Sequence, residues 1–215
     1  MPARLLPLLL ALPVAAHALC TSDELPQPAA LLERFVSADC DDCWRDRATP
    51  EPAAGTFAID WVVPGAKGDD APLAAVALDE ATERLQFLKR SVPARSDAVF
   101  GRREGEPLPL RIAQGDAFND YIGTSMELKK APGPEDWHAW LLLVEELPAG
   151  TEGSPVQRHL VRNVFRPEWR GGAPLADERA MQIHEGARPE RLRLVGVLAD
   201  SRGRIRAISR TACSG

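Results

Sequence analysis

The stretch "FVSADCDDCWRD", Phe35 to Asp46, constrains this chain more than any other segment. An apolar run of strand character leads straight into Cys40 and Cys43, and three carboxylates, Asp39, Asp41 and Asp42, crowd the pair. Two cysteines this close join when oxidised, so the backbone has to turn at the end of a strand. Asp39 is a candidate N-cap for a short helix over 40–47, which "TPEPAAG" ends.

Whether the pair meets an oxidising compartment depends on the opening "MPARLLPLLLALPVAAHALC". Arg4 precedes an apolar run from Leu5 to Ala16, and Ala16 and Ala18 are small residues at the two positions signal peptidase reads. Residues 1–18 therefore read as a secretory signal cleaved after Ala18. Pro7 and Pro13 interrupt a run shorter than the ~20 apolar residues a spanning helix needs. Leu19 stands where a lipoprotein requires a small residue before Cys20. No later stretch is long and apolar enough to cross a bilayer, so the expectation is a periplasmic or secreted protein with no membrane anchor after cleavage.

Export changes how the four cysteines read, because an even number in an oxidising compartment implies pairing, with three possible connectivities. Proximity joins Cys40 to Cys43 and leaves Cys20 and Cys213, at the two mature ends, for a structural disulfide. Zinc at the Cys-x-x-Cys would need two further ligands, but His138, His159 and His184 are scattered through the second half. No metal and no cofactor are expected. The formal charge of -5 is spread without a basic patch, which removes the electrostatic footprint of a nucleic-acid binder. No Ser-His-Asp signature or phosphate-binding glycine loop is present.

With 215 residues and 45% hydrophobic content the chain can build a sizeable core. "LLERFVSA" reads as the strand before the cysteines and "TFAIDWVV", 56–63, as a second strand. "LDEATERLQFLKRSV" places Leu78, Ala81, Leu85 and Leu88 at helical spacing. "LPLRIAQGDAF" reads as a strand entered through Pro109. From Met126 onward "WHAWLLLVEEL", "QRHLVRNVF", "RAMQIHE", "RLRLVGVLAD" and "RIRAISRTA" all read as strands, the last two joined through the hairpin signal "SRG". Trp137 and Trp140 read as core, His184 as an ordinary strand or turn residue, and Asp60 as a turn or cap residue rather than a proton acceptor behind the cysteines.

Strand, Cys-x-x-Cys at a helix start, strand, helix, and proline-entered strand is the order of elements in the thioredoxin fold. "ERFVSADCDDC" also resembles the opening signature of an uncharacterised family of secreted thioredoxin-like proteins, domain of unknown function 1223, through Glu33, Phe35, Ser37, Cys40 and Cys43. "FAIDW" is similar to that family's second strand, with Asp60 and Trp61 in place. "RNVFRPEWRG" is similar to a stretch reading Asn-Val-x-Arg, then Trp-x-Gly, here Asn163, Val164, Arg166, Trp169 and Gly171. The chain departs from the family at Trp44 and Arg45, which replace prolines, at Ala58, which replaces a histidine, and at Leu108, which replaces a threonine.

The resemblance implies an α/β fold: a thioredoxin-like core over 19–125 and a strand-rich C-terminal extension over 126–215 packed on it. It puts Pro109 in the place of the proline that thioredoxin-like folds hold in cis, where it shapes the surface on which a substrate chain lies. The function expected is thiol-disulfide exchange on protein disulfides, with Cys40 as nucleophile and Cys43 as resolving thiol. The alternative is a non-enzymatic module with two structural disulfides that binds a partner protein through its strand-rich half. A helix N-terminus stabilises a thiolate, whereas Asp39, Asp41 and Asp42 disfavour it and Arg45 and Arg47 only partly offset them, so the couple is expected to be a poor oxidant.

Overall fold

The computed structural model describes residues 20–130, 133–171, 173 and 175–213; the signal segment expected at 1–18 lies outside them. In chain order the elements are β1 (Cys20–Thr21), β2 (Ala30–Ser37), α1 (Asp41–Trp44), β3 (Thr56–Val63), α2 (Asp79–Phe87), β4 (Ser96–Arg102), β5 (Leu110–Phe118) and β6 (Tyr121–Leu128). There follow β7 (Trp137–Leu147), β8 (Arg158–Phe165), β9 (Glu168–Trp169), β10 (Ala176–Gln182), β11 (Leu192–Asp200), β12 (Ile205–Arg210) and β13 (Ala212–Cys213). The fold is mixed α/β, mostly sheet with few helices.

Two sheets share the strands. The larger runs β12-β11-β7-β8-β3-β2-β4, with β9 added on β7, and the smaller runs β10-β6-β5-β1-β13. β2 is parallel to β3 and antiparallel to β4, and β3 meets β8 in parallel at Asp60 and Leu160. The large sheet curls towards closure: just past β4, the Glu104 N–H donates to Ile205 O of β12 at 2.8 Å. The division expected between 125 and 126 falls inside β6, and strands from both sides of it share the large sheet.

The continuous apolar run of β7 follows from burial on both faces. Trp137, Ala139, Leu141 and Leu143 face the small sheet, where Leu110, Ile112, Ile122 and Met126 meet them. Trp140, Leu142 and Val144 face the opposite way, into a core shared with Ala81 and Leu85 of α2 and with Leu31, Phe35, Ile59 and Trp61. The sheets approach closely at Gly196, since a Cβ there would stand 3.0 Å from Ile112 Cγ2.

β4 leaves no mark in the local sequence pattern. "SDAVFGR" carries charge at both ends, and its residues alternate exposed and half-buried because it is an edge strand. The turn at 201–203 does join β11 to β12 as a hairpin.

The chain ends are tied together in the small sheet. β1 lies between β5 and β13, and Cys20 stands opposite Cys213 in register, joined by a disulfide with Cα atoms 3.9 Å apart although the two are 193 positions apart in sequence. Closing so long a loop restricts the unfolded chain. Cys213→Ser should lower stability by ~2–5 kcal/mol in chemical denaturation and leave one thiol titratable at position 20.

Candidate functional site at the Cys40–Cys43 disulfide

All eight residues of β2 are buried, including adjacent charges at Glu33 and Arg34. Successive strand residues point to opposite faces, so each charge needs its own counter-ion. Glu33 points to the α2 side, where Arg84 grips it with two bonds, Nε at 2.9 Å and Nη2 at 2.7 Å, and the Trp61 indole N–H donates a third at 3.1 Å. Arg84 also lies over the Trp140 ring, 4.9 Å from its centroid. Arg34 points to the other side, the side of the cysteines.

There Asp60 of β3 sits fully buried between two guanidiniums. Its Oδ1 accepts from Arg158 Nη1 at 2.8 Å, and its Oδ2 accepts from Arg34 Nη2 at 2.7 Å and from the His159 N–H at 3.0 Å. The turn or cap role expected for Asp60 is therefore replaced by a central place in a buried ion network. Arg158 extends the network to the cysteine turn. Its Nη2 donates to Trp44 O at 2.8 Å, its Nε to Ser154 Oγ at 2.7 Å, and its plane lies 4.3 Å from the Trp44 ring centroid. The Trp44 indole N–H in turn donates to Glu152 O at 2.8 Å.

The disulfide closes Cys40 to Cys43 with Cα atoms 5.3 Å apart, against Val36 and Leu73. Each cysteine is 7% exposed. Leu73 is held over the pair by its N–H, which donates to Ala38 O at 3.1 Å. Cys43 also lines a cavity of about 390 Å³ whose walls include Arg34, Thr49, Ser96, Asp97 and Arg158. The Nε of Arg34 is buried with no hydrogen-bond partner among the described residues.

Three expectations about this turn need correction. The helix is a single turn over Asp41–Trp44, too short to sum many peptide dipoles. Its N-cap is Cys40, and Asp39 makes no capping bond: its carboxylate swings across to accept from Ala66 N at 2.7 Å and Lys67 N at 3.2 Å, lying where a side chain at Gly65 would stand. Asp41 pairs with Arg45 at 2.9 Å on the exposed surface. Two of the three carboxylates thus have donors of their own.

The cis-proline assignment of Pro109 is also overturned, as no cis peptide bond occurs among the described residues. Pro109 leads into β5, which belongs to the small sheet, whereas the strand antiparallel to β2 beside the cysteines is β4. Arg95, just before β4, accepts from the Ser37 N–H at 2.8 Å. The physical reason is that β4, an edge strand with no buried face, leaves no hydrophobic mark at 96–102, so the first strand that local pattern shows after α2 is the proline-entered β5.

The second disulfide, Cys20–Cys213, lies in the small sheet. Among the described residues no cluster of His, Cys, Asp or Glu could hold a metal ion, and no helix is long and apolar enough to cross a membrane. Sequence reasoning missed Arg34, Arg158 and His159; a charged residue inside an otherwise apolar strand was the one signal that could have found the first.

No family model and no curated protein matches the chain. Among solved structures it is similar to the Agrobacterium tumefaciens protein AGR_C_4864, at 13% identity and a TM-score of 0.44 over 87% of this chain and 94% of the other. It is also similar to HBP35 of Porphyromonas gingivalis, at 10% identity and a TM-score of 0.47 over 87% of this chain and 75% of the other. At these scores the likeness carries no functional implication.

Two expected outcomes follow from the network. Asp60→Asn leaves Arg34 and Arg158 charged and buried without their counter-ion, so urea denaturation should show a loss of about 3–5 kcal/mol. His159 is half-buried beside Asp60, with Nδ1 2.8 Å from Ala58 O. Burial pushes its pKa below the ordinary 6.5, outweighing the opposing pull of Asp60. The unfolded chain then takes up a proton near pH 6.5 that the folded chain refuses, so stability is lost as pH falls below that value. Melting temperatures measured from pH 7 to pH 5 should decline, and His159→Asn should flatten that decline.

Proposed function

We propose that the chain is an exported thioredoxin-like protein whose Cys40–Cys43 couple exchanges with thiols and disulfides of other proteins. The observation that carries this reading is the place of the disulfide: it closes at the C-terminal end of β2, a strand parallel to β3 and antiparallel to β4, with α2 between those two. That order of three strands and a helix supports a thioredoxin-like reading around the Cys-x-x-Cys, while β4, at the edge of the sheet, carries no further antiparallel strand among the described residues. Two disulfides suit an oxidising compartment, which supports export.

In the reducing direction, the Cys40 thiolate attacks a substrate disulfide and forms a mixed disulfide, releasing one substrate thiolate. Cys43 then attacks Cys40 Sγ, which releases the second substrate thiolate and restores the Cys40–Cys43 bond. Two electrons pass to the substrate, and an external dithiol returns them. One helical turn provides little thiolate stabilisation, so the couple is a poor oxidant even though Asp39 and Asp41 are engaged elsewhere.

A second reading, in which both disulfides are structural and the module binds a partner, draws on one observation: both cysteines are 93% covered, beneath Leu73. Titration against glutathione buffers separates the two. Exchange at a potential well below the roughly -120 mV of strong periplasmic oxidants is the expected result. Asp42→Asn should shift it upward by about 30 mV for each tenfold change in the equilibrium. A pair that exchanges at no reachable poise would establish the structural reading.

A further inference from the structure

The large sheet is open along β4, beside the cysteines. The Ser37 N–H donates to Arg95 O at 2.8 Å, and the Arg103 N–H donates to Ala29 O at 2.9 Å. Antiparallel pairing alternates bonded and non-bonded residues, so between these two anchors the odd-numbered residues of β4 bond to β2. The even-numbered ones, Ser96, Ala98 and Phe100, direct their N–H and C=O groups away from β2, where β4 has no neighbouring strand. Among the described residues one bond is made on that side of 96–100: the Ala98 N–H donates to the adjacent Asp97 Oδ1 at 2.9 Å. The opening ends at Gly101, where a Cβ would stand 2.7 Å from Ile205 Cδ1, and at Glu104, whose N–H donates to Ile205 O.

The charge along this edge is opposite to that of the chain as a whole. Residues 89–103 hold five cations, Lys89, Arg90, Arg95, Arg102 and Arg103, and one carboxylate, Asp97, in a chain of formal charge -5. Arg90 pairs with Asp97 at 2.7 Å, and Arg103 donates to the Pro28 and Gly105 carbonyls. Arg95 and Arg102, at the two ends of the strand, are exposed and meet no carboxylate among the described residues. Phe100 is 57% exposed. It shares a strand face with Ser96 and Ala98, which line the cavity beside Cys43.

We propose that β4 binds an extended segment of a partner protein as an added strand, and that this segment carries an acidic residue at each end of an uncharged, β-branched stretch. The N–H groups of the segment donate to the carbonyls of Ser96, Ala98 and Phe100. Its carbonyls accept from the Phe100 N–H and, in place of Asp97, from the Ala98 N–H. The two carboxylates meet Arg95 and Arg102, which at ~3.3 Å per residue stand roughly 23 Å apart along the strand. Between them Asp97 repels further acidic residues, and Phe100 offers a ring for a β-branched side chain to pack on. A second copy of this chain fits less well, because antiparallel pairing of two β4 edges sets arginine ends against arginine ends. A nucleic acid leaves the outward N–H and C=O groups without a ladder and finds one exposed ring in 96–102 to stack on. The binding does not require the cysteines to exchange.

The test uses the oxidised full chain and the labelled peptide acetyl-Glu-Thr-Val-Thr-Val-Thr-Val-Glu-amide. Fluorescence anisotropy should show saturable binding, weakened about tenfold or more when both Glu become Gln, as for the loss of charged hydrogen bonds. Methylating the central amide nitrogens of the peptide should abolish binding while leaving its charge intact. Ala98→Pro removes an N–H that β2 does not use, at a position where edge strands accept proline, so this variant should keep the wild-type melting temperature and lose the peptide. Replacing Arg95 and Arg102 together by Gln should abolish the preference for the Glu peptide over the Gln peptide. The Phe100 amide should become protected from hydrogen exchange on binding. Wild-type affinity in Ala98→Pro, equal affinity for the Glu and Gln peptides, or no saturable binding at millimolar peptide would each overturn the proposal. So would equal displacement of the peptide by an oligothymidylate of the same length, or a dimer in ultracentrifugation that Ala98→Pro breaks up.

Discussion

A single buried carboxylate holds the middle of this molecule together. Asp60 lies between Arg34 of β2 and Arg158 of β8, and it also accepts the His159 N–H. Taking three charges out of water is costly unless every donor and acceptor finds a partner, and here most do. The arrangement joins the parallel strand pair β2–β3 to β8 where the backbone pairing of β3 with β8 is a single register position. Side chains fasten the sheet at the point where its ladder is weakest.

The same network sets the surroundings of the disulfide. Arg158 reaches past Asp60 to the Trp44 carbonyl and lies on the Trp44 ring, so the end of the cysteine turn is pinned by a residue 114 positions away in sequence. Asp39 ties the start of the turn to the 66–67 backbone. A turn held at both ends keeps its cysteines at bonding distance whether or not they exchange, and the short helix between them does little to activate either sulfur. What chemistry the pair performs then depends on access past Leu73 and through the cavity beside Cys43.

The Glu33–Arg84 pair on the opposite face of β2 has a different consequence. It locks α2 onto the sheet through a bidentate ion pair under aromatic cover from Trp61 and Trp140. Glu80 and Glu83 of the same helix line a cavity of about 590 Å³ together with Phe165 and Arg166 at the end of β8, so the core contact that positions α2 also positions a wall of that cavity. The two ends of β8 are thus served by ion pairs on the two faces of β2.

Local pattern alone determined two long strands of the large sheet: "TFAIDWVV" and "WHAWLLLVEEL" coincide with β3 and β7 to the residue, because a strand covered on both faces is mostly hydrophobic, with charges such as Asp60 kept only where they are paired. It also determined the pairing of the four cysteines, since proximity joins one pair and leaves only the other. The tertiary structure decided what depends on partners distant in sequence. Edge strand β4 was invisible because an edge needs no hydrophobic face, and with it went the correct neighbour of β2. Pro109 was placed beside the cysteines for that reason, although its strand belongs to the other sheet. The roles of Asp60, Arg34 and Arg158 were equally hidden: a carboxylate 26 positions from one arginine and 98 from the other acquires its meaning only when the sheet brings all three out of water together.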